Sequence, residues 1–128
     1  MATFNHFYEL PVYKTCRTFR KKISIIVRNY FPKTEIYHLS AQILDSARSI
    51  TANIAEGFGR FHYQENIQFC RQARGSLTET MEHLITAYDD KYIEKETLSE
   101  INKDYKECLK QINGYIKYLK VTKSGDGK

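Results

Sequence analysis

The sequence predicts an all-α protein, an antiparallel up-down-up-down four-helix bundle in one domain. Three observations predict it. Only six glycines and two prolines punctuate 128 residues, too few turns for an all-β sandwich or barrel. Four long stretches carry apolar residues at three- and four-residue spacings, the pattern of a helix with one buried face. The breaks between them are short, which makes consecutive helices antiparallel neighbours. The length suits a single sizeable core, expected over residues 1–121. A Gly/Ser/Lys-rich stretch at residues 122–128 is expected to be a disordered tail.

The first helix starts at Pro11, a residue suited to the first helical position. Its seam is Val12, Cys16, Phe19, Ile23, Ile26 and Tyr30, a heptad-like run. Phe31-Pro32 ends it, because the residue before proline avoids the helical region. Thr34 and Glu35 open the second helix, with a seam of Ile36, Leu39, Ile43, Ala47, Ile50 and Ile54 and a stop at Gly57-Phe58-Gly59. The third helix begins near residues 62–64 and runs to about Asp89. Phe69, Cys70, Ala73, Leu77, Thr80, Leu84 and Ala87 face inward. Gly75 weakens this helix, and close approach of a neighbouring helix is the expected compensation. After a charged turn at Asp89-Asp90-Lys91, the last helix runs from about Lys95 to Leu119. It buries Leu98, Ile101, Tyr105, Leu109, Ile112, Ile116 and Leu119.

Charge is unevenly placed within the net +5. Residues 1–75 hold eleven Lys/Arg against five Asp/Glu, and residues 10–34 hold seven basic residues and no acid. Such a localised positive field suits anionic partners. Lys14, Arg17, Lys21 and Arg28 lie opposite the first seam and present a basic stripe of about 20 Å. Arg48, Arg60, Arg71 and Arg74 are candidates to extend it, arginine being the better phosphate fork. The competing reading is a solvated helix face.

A second feature is the polar ridge of Gln42, Ser49, Asn53, Glu56 and Arg60, which share a face at about 100° per residue. It suits a subunit interface or other structural use, a ligand contact, or a solvated face with Glu56 and Arg60 paired across the helix end.

The remaining chemistry-bearing residues form no site in the sequence. Cys16, Cys70 and Cys108 contain no C-x-x-C pair and sit by apolar stripes, so they read as buried reduced thiols of a cytoplasmic protein. His6, His38, His62 and His83 lack ligand spacing, and Glu79 with His83 does not make the paired Glu-x-x-His of a di-metal bundle. The Gly57-Phe58-Gly59 turn follows no strand and precedes no Lys-Ser/Thr, so it is not a phosphate loop. Phe7, Tyr13, Phe19, Tyr30, Phe69 and Tyr105 read as core, while Tyr115 and Tyr118 suit interface packing equally. No catalytic residue, metal site or cofactor is expected. Neither is a membrane span or a secretory signal.

The residues also carry a resemblance. Phe7-Tyr8-Glu9-Leu10, Phe31-Pro32 with Glu35, Leu39, Gln42-Ile43 and Ala47 belong to it. Ser49-Ile50 with Asn53-Ile54-Ala55-Glu56-Gly57 and Gly59-Arg60 is its most specific part. Glu65, Phe69, Ala73, Gly75-Ser76-Leu77 and Glu79 complete it. The chain resembles the four-helix-bundle family encoded by intervening sequences of bacterial large-subunit ribosomal RNA genes, related to the accessory variability protein of diversity-generating retroelements. Tyr13 stands where that family often has tryptophan, and Thr51-Ala52 where it often has a proline-containing pair. The resemblance implies a homopentameric ring that binds and does not catalyse. In the retroelement relatives a basic ring surface engages nucleic acid and a reverse transcriptase. The reading that follows is a non-enzymatic adaptor binding structured RNA or DNA. Its alternative is a protein-interaction scaffold without a nucleic-acid role.

Overall fold

The computed structural model describes residues 4–126, with side chains through Thr122. Among these residues the fold has four α-helices and two short 3-10 turns: α1 (Pro11–Tyr30), α2 (Leu39–Phe58), α3 (Tyr63–Asp89) and α4 (Lys95–Asp126). Each helix packs on its neighbours in the chain, and α1 also packs on α4. The boundary expected at residue 121 falls within α4. The side chains of residues 123–126 and all of residues 127–128 lie outside the described part.

Local chemistry explains the ends. The Glu9 carboxylate accepts the backbone N–H groups of Asn5 and His6 at 2.9 and 3.1 Å, steering the chain into Pro11 at the start of α1. Phe31 then turns extended and buries its ring. The second helix begins later than the sequence suggests. Residues Lys33–Glu35 form a 3-10 turn, and the Glu35 carboxylate accepts the N–H of Leu39 at 3.2 Å. Glu35 thus caps α2 from outside it. Ile36, expected in the core, is 58% exposed as a result. At the end of α3, Lys91 adopts φ 68°. Lys91 N–H reaches Tyr88 O at 3.0 Å, and Tyr92 N–H reaches Ala87 O at 2.9 Å. This is a Schellman closure with lysine at the position that glycine usually takes.

The seams pack as spaced, with informative exceptions. Val12, Cys16, Phe19, Ile23 and Ile26 are all buried, but Tyr30 is 56% exposed because α1 ends there and Phe31 enters the core in its place. On α4, Cys108 is fully buried while Leu98, Tyr105 and Leu109, expected inside, are half-buried, as is Phe69 on α3. The close approach expected at Gly75 falls instead at Gly57, in the last turn of α2. A Cβ on Gly75 would meet nothing within 4 Å, so no neighbouring helix of the chain approaches it. At Gly57 a Cβ would lie 2.6 Å from Asn66 Oδ1 and 2.9 Å from Phe69 Cβ. Gly57 is therefore where α2 and α3 pinch together.

Small and hydroxylated residues line that contact. Ser46 Oγ and Thr80 Oγ1, both buried, lie 2.7 Å apart. Ser76 Oγ donates to Ser49 Oγ at 2.9 Å, and Asn53 Nδ2 donates to the same oxygen at 2.9 Å. Side-chain size at the contact sets how closely helices approach. Here the small groups bring the helices near enough for hydroxyls to bond across.

Candidate nucleic-acid interface

The inward seam of α1 forces its basic residues outward. Lys14, Arg17, Lys21 and Arg28 are exposed, and among the described residues none has a carboxylate within 4.0 Å. Two other basic residues of α1 are tied down. Arg20 donates through Nη1 to Thr51 Oγ1 of α2 at 2.8 Å. Lys22 pairs with Asp104 of α4 at 2.9 Å, which raises the lysine pKa. The helix thus clamps itself to both neighbours with two cations and leaves the others to solvent.

The structure brings Lys21 and Arg48 together. They share a groove of about 210 Å³ between α1 and α2, which Arg20, Ser24, Leu44 and Ala47 also line. Leu44 and Ala47 make its apolar part. Its three cations supply donors of charge-assisted bonds, and the Ser24 hydroxyl can add a neutral one. The acidic residue nearest in sequence is Asp45, one turn before Arg48 on α2. Chemically, the groove and the row along α1 can hold anions such as phosphates.

Arg20 and Ser24 were not singled out from sequence. Ser24 sits one turn from Arg20, Lys21 and Arg28, and that periodic polar position was the available signal. Which helix faces the groove from the other side was not readable.

The other three arginines do not join this face. Arg60 lies beyond the end of α2, paired with Glu56 at 2.7 Å, 3.9 Å from Glu65, and 4.9 Å over the Phe69 ring. Arg74 on α3 donates to Asn113 Oδ1 of α4 at 2.8 Å. Arg71 is exposed on α3, a helix that packs on α2 and α4 but not on α1.

The polar ridge divides in the same way. Gln42 is exposed, Ser49 bonds across to Ser76 of α3, Asn53 bonds back to Ser49 within α2, and Glu56 pairs with Arg60 across the helix end. Gly57 is buried under Asn66.

The thiols sit away from this surface. Cys16, Cys70 and Cys108 are free and fully buried. The hydrogen bond with Cys108, with burial added, raises the Cys16 pKa, and burial pushes Cys70 up to about 12. Among the described residues no helix is long and apolar enough to cross a membrane.

Similarity to known proteins agrees with this architecture. The family described as 23S rRNA-intervening sequence protein matches residues 8–114. A crystal structure of a protein of unknown function from the S23 ribosomal protein family of Bacteroides thetaiotaomicron is 27% identical. It covers 83% of this chain and 95% of its own length, with a TM-score of 0.76. No curated protein matches. The chain belongs to the 23S rRNA-intervening sequence protein family.

Proposed function

We propose that this protein is a non-enzymatic adaptor that binds structured nucleic acid, RNA or DNA, on its α1–α2 face. The observation that carries the reading is the convergence of Lys21 and Arg48 on one groove, in line with unpaired Lys14, Arg17 and Arg28. A row of solvent-facing cations binds phosphates through counterion release, giving affinity with little sequence preference. The setting we infer is cytoplasmic.

The fuller architecture belongs to the same proposal: an up-down-up-down bundle assembled as a ring of five. Cross-helix pairings support the topology. Residues 46, 49 and 57 of α2 meet residues 80, 76 and 66 of α3 in reverse order. The family resemblance supports the ring, and exposed apolar side chains such as Ile25 and Ile85 suit contacts between copies. Five copies at +5 each would repeat a weak contact and gain through effective concentration.

The test is a salt series on structured RNA and duplex DNA, with light scattering alongside. Binding should persist at about 150 mM salt with a slope of several phosphates per assembly. Joint reversal of Lys14, Arg17 and Lys21 to Glu should abolish it without changing the assembly's mass. Unchanged nucleic-acid behaviour in that variant would instead favour a protein-interaction scaffold.

A further inference from the structure

The start of α1, the end of α2, the start of α3 and residues 110–119 of α4 line a cavity of about 730 Å³. That volume lies within the range of small-molecule sites, about 300–1,000 Å³. Leu10, Val12 and Leu119, all nearly fully buried, contribute apolar wall. The cavity shares no lining residue with the basic groove.

Three features of α4 give this cavity a chemical preference. Tyr115 and Tyr118 line it with their rings stacked, 6.1 Å between centroids and 14° between planes. Lys110 stands at its edge, exposed and with no carboxylate within 4.0 Å among the described residues. Arg60, the other cation there, is already shared between Glu56 and Glu65. Third, the buried Asn66 amide donates to Tyr115 Oη at 3.2 Å. That bond leaves the phenol's own proton available to an acceptor. Burial raises the Tyr115 pKa to about 12, so the proton stays on.

Gly114 is the unexplained residue that these features absorb. A glycine within a helix costs about 1 kcal/mol relative to alanine. Gly114 makes no turn, and a Cβ there would meet nothing within 4 Å, so helix packing does not require it. It lies one turn from both Lys110 and Tyr118, and it lines the cavity. Its missing side chain opens a slot between the cation and the stacked rings.

We propose that this cavity binds a planar aromatic anion, with its ring system in the Gly114 slot against Tyr115 and Tyr118 and its anionic group between the Lys110 ammonium and the Tyr115 hydroxyl. The proposal is independent of nucleic-acid binding.

The probe is 8-anilinonaphthalene-1-sulfonate, titrated into the full chain below its melting temperature and followed by fluorescence. Saturable binding at one site per chain is expected. Gly114→Leu fills the slot with a better helix former, so its melting temperature should hold or rise while affinity falls about tenfold or more. Lys110→Gln, at an exposed position, should weaken binding about threefold. Three results would overturn the proposal: no binding to the folded wild type, as when another copy covers this cavity; equal affinity in Gly114→Leu; or fluorescence that grows only as the protein unfolds.

Discussion

Gly57 lies so close to Asn66 that a Cβ would sit 2.6 Å from the Asn66 side-chain oxygen. Asn66 is itself buried, accepting from the Cys70 thiol at 3.6 Å and donating to Tyr115. It cannot retreat without disturbing its bonds to Cys70 on its own helix and to Tyr115 on α4. Gly57→Ala should therefore destabilise the fold by about 1–3 kcal/mol, the usual range for overpacking. Gly75→Ala, where space is open, should stabilise by about 0.5–1 kcal/mol. Urea unfolding of the two variants measures both signs, and equal effects would mean that Gly57 is not a pinch point.

The hydroxyl pair across α2 and α3 makes a second prediction. Each hydroxyl has one proton, and the pair also serves backbone carbonyls: Ser46 reaches Ile43 O at 3.1 Å and Thr80 reaches Ser76 O at 2.8 Å. Thr80→Val should cost about 1 kcal/mol by removing the cross-helix partner of the buried Ser46 hydroxyl, which keeps only its bond to the Ile43 carbonyl. Ser46→Ala combined with Thr80→Val should cost less than the two single effects added, with a coupling of about 0.5–1.5 kcal/mol. Strict additivity in the double-mutant cycle would show that the 2.7 Å contact contributes nothing.

Glu35 makes a third. Tyr92 donates to its carboxylate at 2.6 Å, and this bond, with that from Leu39 N–H, holds the Glu35 pKa below the ordinary 4.5. The same bond pushes Tyr92 from the ordinary 10.0 up to about 12. A carboxyl depressed in the folded state contributes stability above its ordinary value and loses it as pH falls through the lowered one. A raised phenol contributes below pH 10 and loses that contribution as pH rises through about 12. Tyr92→Phe should therefore move the Glu35 carboxyl titration, followed by NMR, upward toward 4.5. Its stability deficit should be largest near neutrality and shrink at low pH. An unmoved titration would show that the Leu39 N–H alone depresses Glu35.

Much of the fold was legible because helical periodicity is a property of one segment at a time. The α1 seam, the start of α1 at Pro11 and the extent of α3 followed from residue spacing and local backbone rules. The start of α2 did not, because Glu35 acts there as a cap and not as a helical residue, and only the folded turn shows what its carboxylate reaches. The basic row on α1 was legible for the same reason as its seam: one face in water requires the other in the core.

The sequence by itself determined the central face that each helix buries, since a rotation of about 100° per residue settles that within the helix. It did not determine the margins, where Tyr30 and Ile36 are exposed and Cys108 is buried ahead of Leu109. Only the tertiary structure decided what lies opposite each face. It set Gly57 and not Gly75 as the close approach, and paired Ser46 with Thr80. It brought Arg48 beside Lys21 and left Arg60 to Glu56. It also opened the cavity beside Gly114. Those relations depend on the axial shift and relative rotation of two helices, which the packing of side-chain volumes sets and no single helix encodes.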